Sequence, residues 1–282
     1  MNEAAVRPIW LCADDYGISP AVSSAIRELI VQHRLNATSV MVAAPSFGRA
    51  EAVPLDMLNA GAARVAIGLH VTLTGPFTPM SPGFGPLRDG VFLPLEAMLR
   101  RALMRRLSRP RLEVEIATQF EAFVRAFGRA PDFIDGHQHV QLFPQVRDAL
   151  LQVVKQVAPN AWVRQCGRIR LPMRQRVADK KALLLDALSR AFRRRAVALG
   201  IATNPAFAGA YDFTAPDADF AALFPGFLQG MPAGGLIMCH PGRVDAELER
   251  LDPLTRQRER EYDFLADDGF PSLLAAHGVA LA

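Results

Sequence analysis

Ile9-Trp10-Leu11-Cys12-Ala13-Asp14-Asp15-Tyr16-Gly17 is the stretch from which the rest of the chain is read. Residues 9–12 form an apolar run with the look of a buried strand, and they deliver two adjacent carboxylates to a turn ending in glycine. Ser19 and Pro20 then serve as an N-cap and a first helical position, which predicts a helix over 20–33. Neighbouring carboxylates repel, and ionising both in a partly dry site is costly unless something positive sits beside them. A divalent cation would account for the pair. So would an acidic helix cap, and this stretch alone does not choose between them.

Half of the 282 residues are hydrophobic, enough for a large core, and a single domain over 1–282 is expected. The first residues show no basic segment followed by an apolar one, and no apolar run is long enough to span a membrane. Three cysteines, few and odd in number, fit a reducing compartment, so a cytoplasmic protein is expected. The formal charge is +4, yet arginines cluster at Arg100, Arg101, Arg105, Arg106, Arg109 and Arg111. A second basic group holds Lys180, Lys181, Arg190, Arg193, Arg194 and Arg195. Solvated helix faces explain both groups, and contact with anionic membrane headgroups stays open. No zinc-finger spacing or aromatic ladder points to nucleic acid.

Further strands are predicted over 37–43, over 65–74 with His70 toward the end, and from 131 into Asp135-Gly136-His137-Gln138-His139. Short strands are also expected at 161–164, ending on Arg164, and within 201–211. Another starts at Gly235 and ends in His240, and 277–281 closes the chain. Between them lie predicted helices at 95–107, 113–127, 144–157, 174–199, 217–228 and 252–266. The 113–127 helix shows an apolar stripe of Val114, Ala117, Phe120, Phe123 and Val124. The 174–199 helix would turn Val177, Leu184, Leu185, Leu188 and Phe192 inward. The Gly- and Pro-rich segment 75–95 is long for a compact domain and reads as a lid or a substrate rim. Short apolar strands alternating with helices signal a parallel α/β sheet, and their number favours a distorted or incomplete TIM-like (β/α) barrel. Sites in such folds form at the C-terminal ends of the strands.

Four of the six histidines, His70, His137, His139 and His240, fall at such ends. Together with the Asp14–Asp15 pair and no thiolates, they suit Zn2+, Mn2+, Co2+ or Mg2+ rather than a structural cysteine-ligated zinc. Two histidines and one carboxylate leave coordination positions open for water and substrate.

The blocks Ala13-Asp14-Asp15-Tyr16-Gly17, Gly68-Leu69-His70-Val71-Thr72-Leu73-Thr74, Ile134-Asp135-Gly136-His137-Gln138-His139-Val140 and Cys239-His240-Pro241 resemble, in order and spacing, those of the YdjC-like family. That family includes chitooligosaccharide deacetylases and hopanoid-associated deacetylases. The resemblance spans nearly the whole chain. It implies a distorted TIM-like barrel and metal-dependent hydrolysis of an N-acetyl group on an amino sugar or oligosaccharide, lipid-linked ones included. It places the metal ligands on Asp15, His70 and His137, with Mg2+ or Zn2+ foremost and Mn2+ or Co2+ after them. By similarity to the NodB-type polysaccharide deacetylases, Asp14 would be the general base and His240 the general acid, with Arg164 orienting Asp14. The family's turn often reads His-His-His-Val-His, whereas this chain has Gln138 and Gln141 at the second and last of those positions. Peripheral membrane contact and a homodimer remain open.

Two other readings compete. An amidohydrolase-like enzyme would place His-x-His on the first strand, where this chain has Asp14-Asp15. A non-catalytic carbohydrate- or membrane-surface-binding protein would not need to retain base, ligands and acid together.

Overall fold

A computed structural model describes residues 6–60, 64–168, 180–213 and 219–282. Its strands are β1 (Arg7–Tyr16), β2 (Ala37–Val40), β3 (Ala66–Val71), β4 (Leu87–Arg88), β5 (Val91–Phe92), β6 (Phe133–Gly136), β7 (Trp162–Val163), β8 (Phe207–Ala208), β9 (Leu236–Cys239) and β10 (Val279–Leu281). β4 and β5 form a small antiparallel hairpin inside the Gly- and Pro-rich segment. The others pair in parallel in the order β7-β6-β3-β2-β1-β9-β8, with β10 beside the start of β1. Single parallel bridges, Val163 to Thr203 and Arg168 to Phe207, draw the two outer edges of the sheet toward each other. The sheet is therefore curled, mostly parallel and flanked by helices, a TIM-like α/β arrangement.

The flanking helices include α1 (Pro20–Val31), α2 (Arg49–Met57), α3 (Leu95–Leu103), α4 (Arg109–Phe127) and α5 (Pro144–Val157). After these come α6 (Lys180–Ala198), α7 (Phe220–Leu228), α8 (Ala246–Leu251), α9 (Arg256–Ala266) and α10 (Phe270–Ala276). α1 begins where its sequence says it should: Ser19 Oγ accepts from the Val22 amide at 3.4 Å, and Pro20 opens the first turn. Its face of Val22, Ala25, Ile26, Leu29 and Ile30 is buried on the sheet. Among the described residues, no helix is long and apolar enough to cross a membrane.

Close packing aligns the strands that carry the site. A Cβ at Gly68 on β3 would lie 2.4 Å from the Phe133 ring on β6, so only glycine lets that ring sit against the β3 backbone. Phe133 in turn stacks on Trp162 of β7 with ring centroids 4.5 Å apart. This contact accompanies a register in which His70 stands beside Asp135.

Several boundaries differ from the sequence reading. Strand pairing stops at Val40 and Val71, short of the predicted ends, because the chain leaves the sheet to build loops. The predicted stripe on α4 holds at Phe120 and Phe123, which are buried, and at Ala117 and Val124, which pack half-buried against the core, but Val114 is exposed and the buried face also takes in Leu112, Glu115, Ile116, Gln119 and Phe127. Glu115 and Gln119 break the apolar pattern because they bond to loop backbone. Glu115 accepts the amides of Met80 at 3.0 Å and Ser81 at 2.7 Å. Gln119 exchanges bonds with Thr72, giving to its carbonyl at 2.8 Å and accepting its amide at 2.9 Å. On α6 Leu184 is exposed, while Ser189, Phe192 and Ala196 are buried. The predicted start of that helix over 174–179, Val177 included, lies outside the described residues, as does 217–218 before α7. The last predicted helix begins four residues late, as α9 at Arg256, and both α8 before it and α10 after it were not foreseen.

Candidate active site

β1 carries both members of the acidic pair, and a regular strand would aim them at opposite faces. It does not stay regular. Its pairing with β2 jumps from Ala13–Thr38 to Tyr16–Val40, one extra residue on β1, and Asp15 takes a left-handed φ of 66°. This bulge lets both carboxylates reach one mouth of the sheet. Gly17 follows at φ 93°, with Phe47 where a Cβ would stand. Both Asp14 and Asp15 are buried.

Asp15 Oδ1 faces two histidines. His70 Nε2 lies 3.2 Å away and His137 Nδ1 2.9 Å away. One donor atom from each of the three falls within 4.8 Å of the others, and all three residues are buried. The far nitrogen of His70 is already committed, since Nδ1 sits 2.6 Å from Asp135 Oδ1 and 3.0 Å from Ser39 Oγ. That leaves Nε2 turned to Asp15, the carboxylate–histidine arrangement that orients a metal-ligating imidazole. Two imidazole nitrogens and one carboxylate oxygen, buried and convergent, fit a divalent cation. Burial disfavours the charged form of His70, but the Asp135 carboxylate overrides it and lifts the imidazole to about 10. Burial raises the Asp15 carboxyl, and His137 and Arg258 more than reverse this, holding it well below the usual range.

Asp14 belongs to a second network. Arg164, fully buried at the end of β7, donates Nη1 to Asp14 Oδ2 and Nη2 to Asp14 Oδ1, each at 2.6 Å. The same Nη2 lies 2.6 Å from Asp135 Oδ2 and 3.0 Å from Cys12 Sγ. Cys12, Asp14 and Asp135 also converge closely enough to hold a cation, but the Arg164 guanidinium already fills the space between them. Burial works to raise the Asp14 carboxyl, and Arg164 overrides it, holding it at about 2. Arg164 thus ties Asp14 to Asp135, which bonds His70.

His240 follows the strand β9, one residue past the pairing of Cys239 with Ala13. Its Nδ1 is buried without a hydrogen-bond partner among the described residues. Phe213 meets the ring edge-on at a centroid distance of 5.0 Å. Burial lowers the imidazole against the opposing charges of Asp15 and Asp14, so it rests neutral. His139, in a left-handed turn at φ 59°, is lowered to about 3 by burial and by Arg164, and its Nδ1 lies 3.5 Å from Cys166 Sγ.

Three groups around this site escaped the sequence reading. Asp135 was quoted only as part of a motif, although its carboxylate joins His70 to Arg164. Arg258 sits on α9 amid alternating charges, yet its side chain is 0% exposed. Glu261, one turn further on, is equally buried and accepts Tyr211 Oη and the His240 amide, each at 2.5 Å. The spacing of three from Arg258 to Glu261 put both on one helix face, but nothing in their chemistry marked that face as the inner one. The Gly- and Pro-rich segment does reach the site: Phe77 packs edge-on against His137 at a centroid distance of 5.7 Å.

The YdjC-like protein family profile matches residues 8–276. A chitooligosaccharide deacetylase of Escherichia fergusonii is 32% identical over 136 residues, 48% of this chain and 50% of that protein. A chitooligosaccharide deacetylase of Proteus mirabilis is 30% identical over 146 residues, 52% of this chain and 54% of that protein. The chain thus matches about half the length of these curated relatives. In three dimensions it resembles a candidate cellobiose-phosphate cleavage protein of Enterococcus faecalis V583, with a TM-score of 0.72 at 20% identity. That alignment covers 99% of this chain and 97% of the other, and it speaks to the fold alone.

Proposed function

The chain belongs to the YdjC-like family, and from that premise we propose that it is a metal-dependent carbohydrate N-deacetylase. The observation that supports this reading most is the convergence of Asp15 Oδ1, His70 Nε2 and His137 Nδ1 beside an Asp14 clamped by Arg164. The substrate class is an N-acetylated amino sugar or short oligosaccharide, in keeping with the names of the curated relatives.

Hydrolysing an N-acetyl amide adds a water oxygen to the carbonyl carbon and returns a proton to the departing nitrogen, giving acetate and a free amine. A divalent cation held by Asp15, His70 and His137 supplies an acidified water and a polarised carbonyl when bound. Asp14 is ionised at every working pH and takes up the proton of the attacking water. Held at about 2, it is a weak base, suited only to a proton that has already been made acidic. Its Oδ1 is shared by Arg164, Ser39 and Cys12, so Oδ2, which accepts from Arg164 Nη1, is the less crowded oxygen for that task. His240 delivers the proton to the nitrogen. It is neutral at rest, so the proton it delivers is the one Asp14 has taken from the water and passes on to it, and the Asp14 and Asp15 charges stabilise the imidazolium while it carries that proton.

A lipid-linked amino sugar is a variant of this substrate favoured by one surface feature. Leu103, Met104 and Val114 are exposed among the exposed Arg100, Arg105, Arg106 and Arg111, a mixture that suits an anionic lipid surface. The test of the function is acetate release from N-acetylglucosamine, N,N′-diacetylchitobiose, longer oligomers and a lipid-linked N-acetyl sugar, with Mg2+, Zn2+, Mn2+ or Co2+ added. Chelator-sensitive release from at least one is expected. Absence of release from all of them, with every cation, overturns the reading.

A further inference from the structure

Each carboxylate of the pair has its own arginine, and the two arginines hold them differently. Arg164 takes both oxygens of Asp14. Arg258 takes only one oxygen of Asp15: Nη2 donates to Oδ2 at 2.6 Å, while Oδ1 is the oxygen facing His70 and His137. Arg258 is itself anchored. The same Nη2 donates to Asp252 Oδ2 at 2.6 Å, and Nε donates to the Leu254 carbonyl at 2.9 Å. Asp252 is fixed in turn by accepting the Leu254 amide on Oδ1 at 2.8 Å. The chain just past His240 closes over the guanidinium stem: the Gly242 amide donates to the Arg258 carbonyl at 3.1 Å, and a Cβ at Gly242 would stand 3.5 Å from Arg258 Cδ.

A buried positive charge this close to a cation site cannot be there to raise cation affinity, because the two charges repel. It can aim the carboxylate. Asp15 leaves a bulged strand at a left-handed φ of 66°, so its side-chain direction is set by its partners and not by the pleat. We propose that Arg258, locked by Asp252, is a positioning residue that occupies Asp15 Oδ2. The carboxylate then offers a cation Oδ1 alone, and the coordination position that a second oxygen would fill stays free for water and substrate. This rests on the metal-site reading above.

The test titrates CoCl2 into metal-free, full-length protein, followed by calorimetry and by visible absorption, which weakens as the coordination number of Co2+ rises. Arg258→Gln should bind Co2+ at least as tightly as the native protein, with weaker visible absorption. Its kcat for acetate release should fall at least tenfold while KM stays near native. Arg258→Lys, which keeps a positive donor, should restore the native spectrum. Asp252→Asn, which leaves the guanidinium in place but removes the carboxylate charge that holds it, should shift the spectrum in the same direction, and it reads the effect should Arg258→Gln fail to fold. A native spectrum in Arg258→Gln, or in Asp252→Asn where that variant stands in, overturns the proposal. So does lost Co2+ binding in Arg258→Gln with the fold intact, since affinity and not aim would then be the arginine's role. If the native protein takes up no Co2+, or Asp15→Asn takes it up as well as native, the metal-site reading itself falls, a failure distinct from that of Arg258.

Discussion

Arg164 grips Asp14 with both arms, Nη1 on Oδ2 and Nη2 on Oδ1 at 2.6 Å each, in a place where the two side chains are only 1% and 3% exposed. A planar guanidinium matches a carboxylate in this way and an ammonium cannot. Arg164→Lys keeps the charge and loses the fork. It should lower kcat about 10- to 100-fold with little change in KM, and steady-state acetate release measures both. Native kinetics in that variant would mean that Asp14 needs no such clamp.

Asp135 holds His70 Nδ1 from behind at 2.6 Å. Such outer partners fix the ring and its tautomer, and losing one typically costs about 10- to 100-fold in metal affinity. Asp135→Asn should therefore weaken Zn2+ binding by about that factor, measured by calorimetry on the metal-free protein. Unchanged affinity would place His70 outside the cation site.

Glu261 carries the pH dependence that the fold predicts. Burial raises its carboxyl from 4.5 to about 7, against the opposing pull of Tyr211 and the His240 amide. The folded protein then binds more protons than the unfolded one between pH 4.5 and about 7. This contribution to stability is complete below the lower value and lost as pH rises through the upper one. At about 1.4 kcal/mol per pKa unit, the swing is on the order of 3 kcal/mol. Glu261→Gln keeps an acceptor for the His240 amide and can give a proton to Tyr211 Oη. Urea unfolding at pH 5 and pH 8 should show the native protein losing more stability across the interval than the variant, whose remaining pH dependence is that of the other shifted groups, His70 and His139 among them. Parallel pH dependences in the two proteins would contradict this.

How much of this was legible in the chain depends on the residue. Asp14, Asp15, His70, His137 and Arg164 stand at strand ends whose apolar runs can be read one at a time, and the structure brings them together. The helix over 144–157 matches α5 at both ends because Pro144 and a clean apolar period define it. The α4 stripe was legible at Phe120 and Phe123 and missed at Val114, since its inner face includes Glu115 and Gln119, polar residues buried only because they bond backbone from the 72–81 segment. Arg258 lies 243 residues from Asp15. Such a pairing leaves no local periodicity, and on a helix reading Arg-Gln-Arg-Glu-Arg-Glu every charge looks solvated. The bulge at Asp14–Asp15 was equally hidden, because register belongs to two strands and one strand's sequence does not contain it.

The central claim is that Asp15, His70 and His137 hold one divalent cation on which deacetylation depends. Acetate release from N,N′-diacetylchitobiose by exhaustively chelated protein, titrated back with ZnCl2, tests it most directly, with Asp15→Asn and His137→Ala run alongside. The account predicts no release after chelation, recovery that saturates near one equivalent of Zn2+, and no recovery in either variant. Undiminished release by the chelated protein, or native release by either variant, would contradict it.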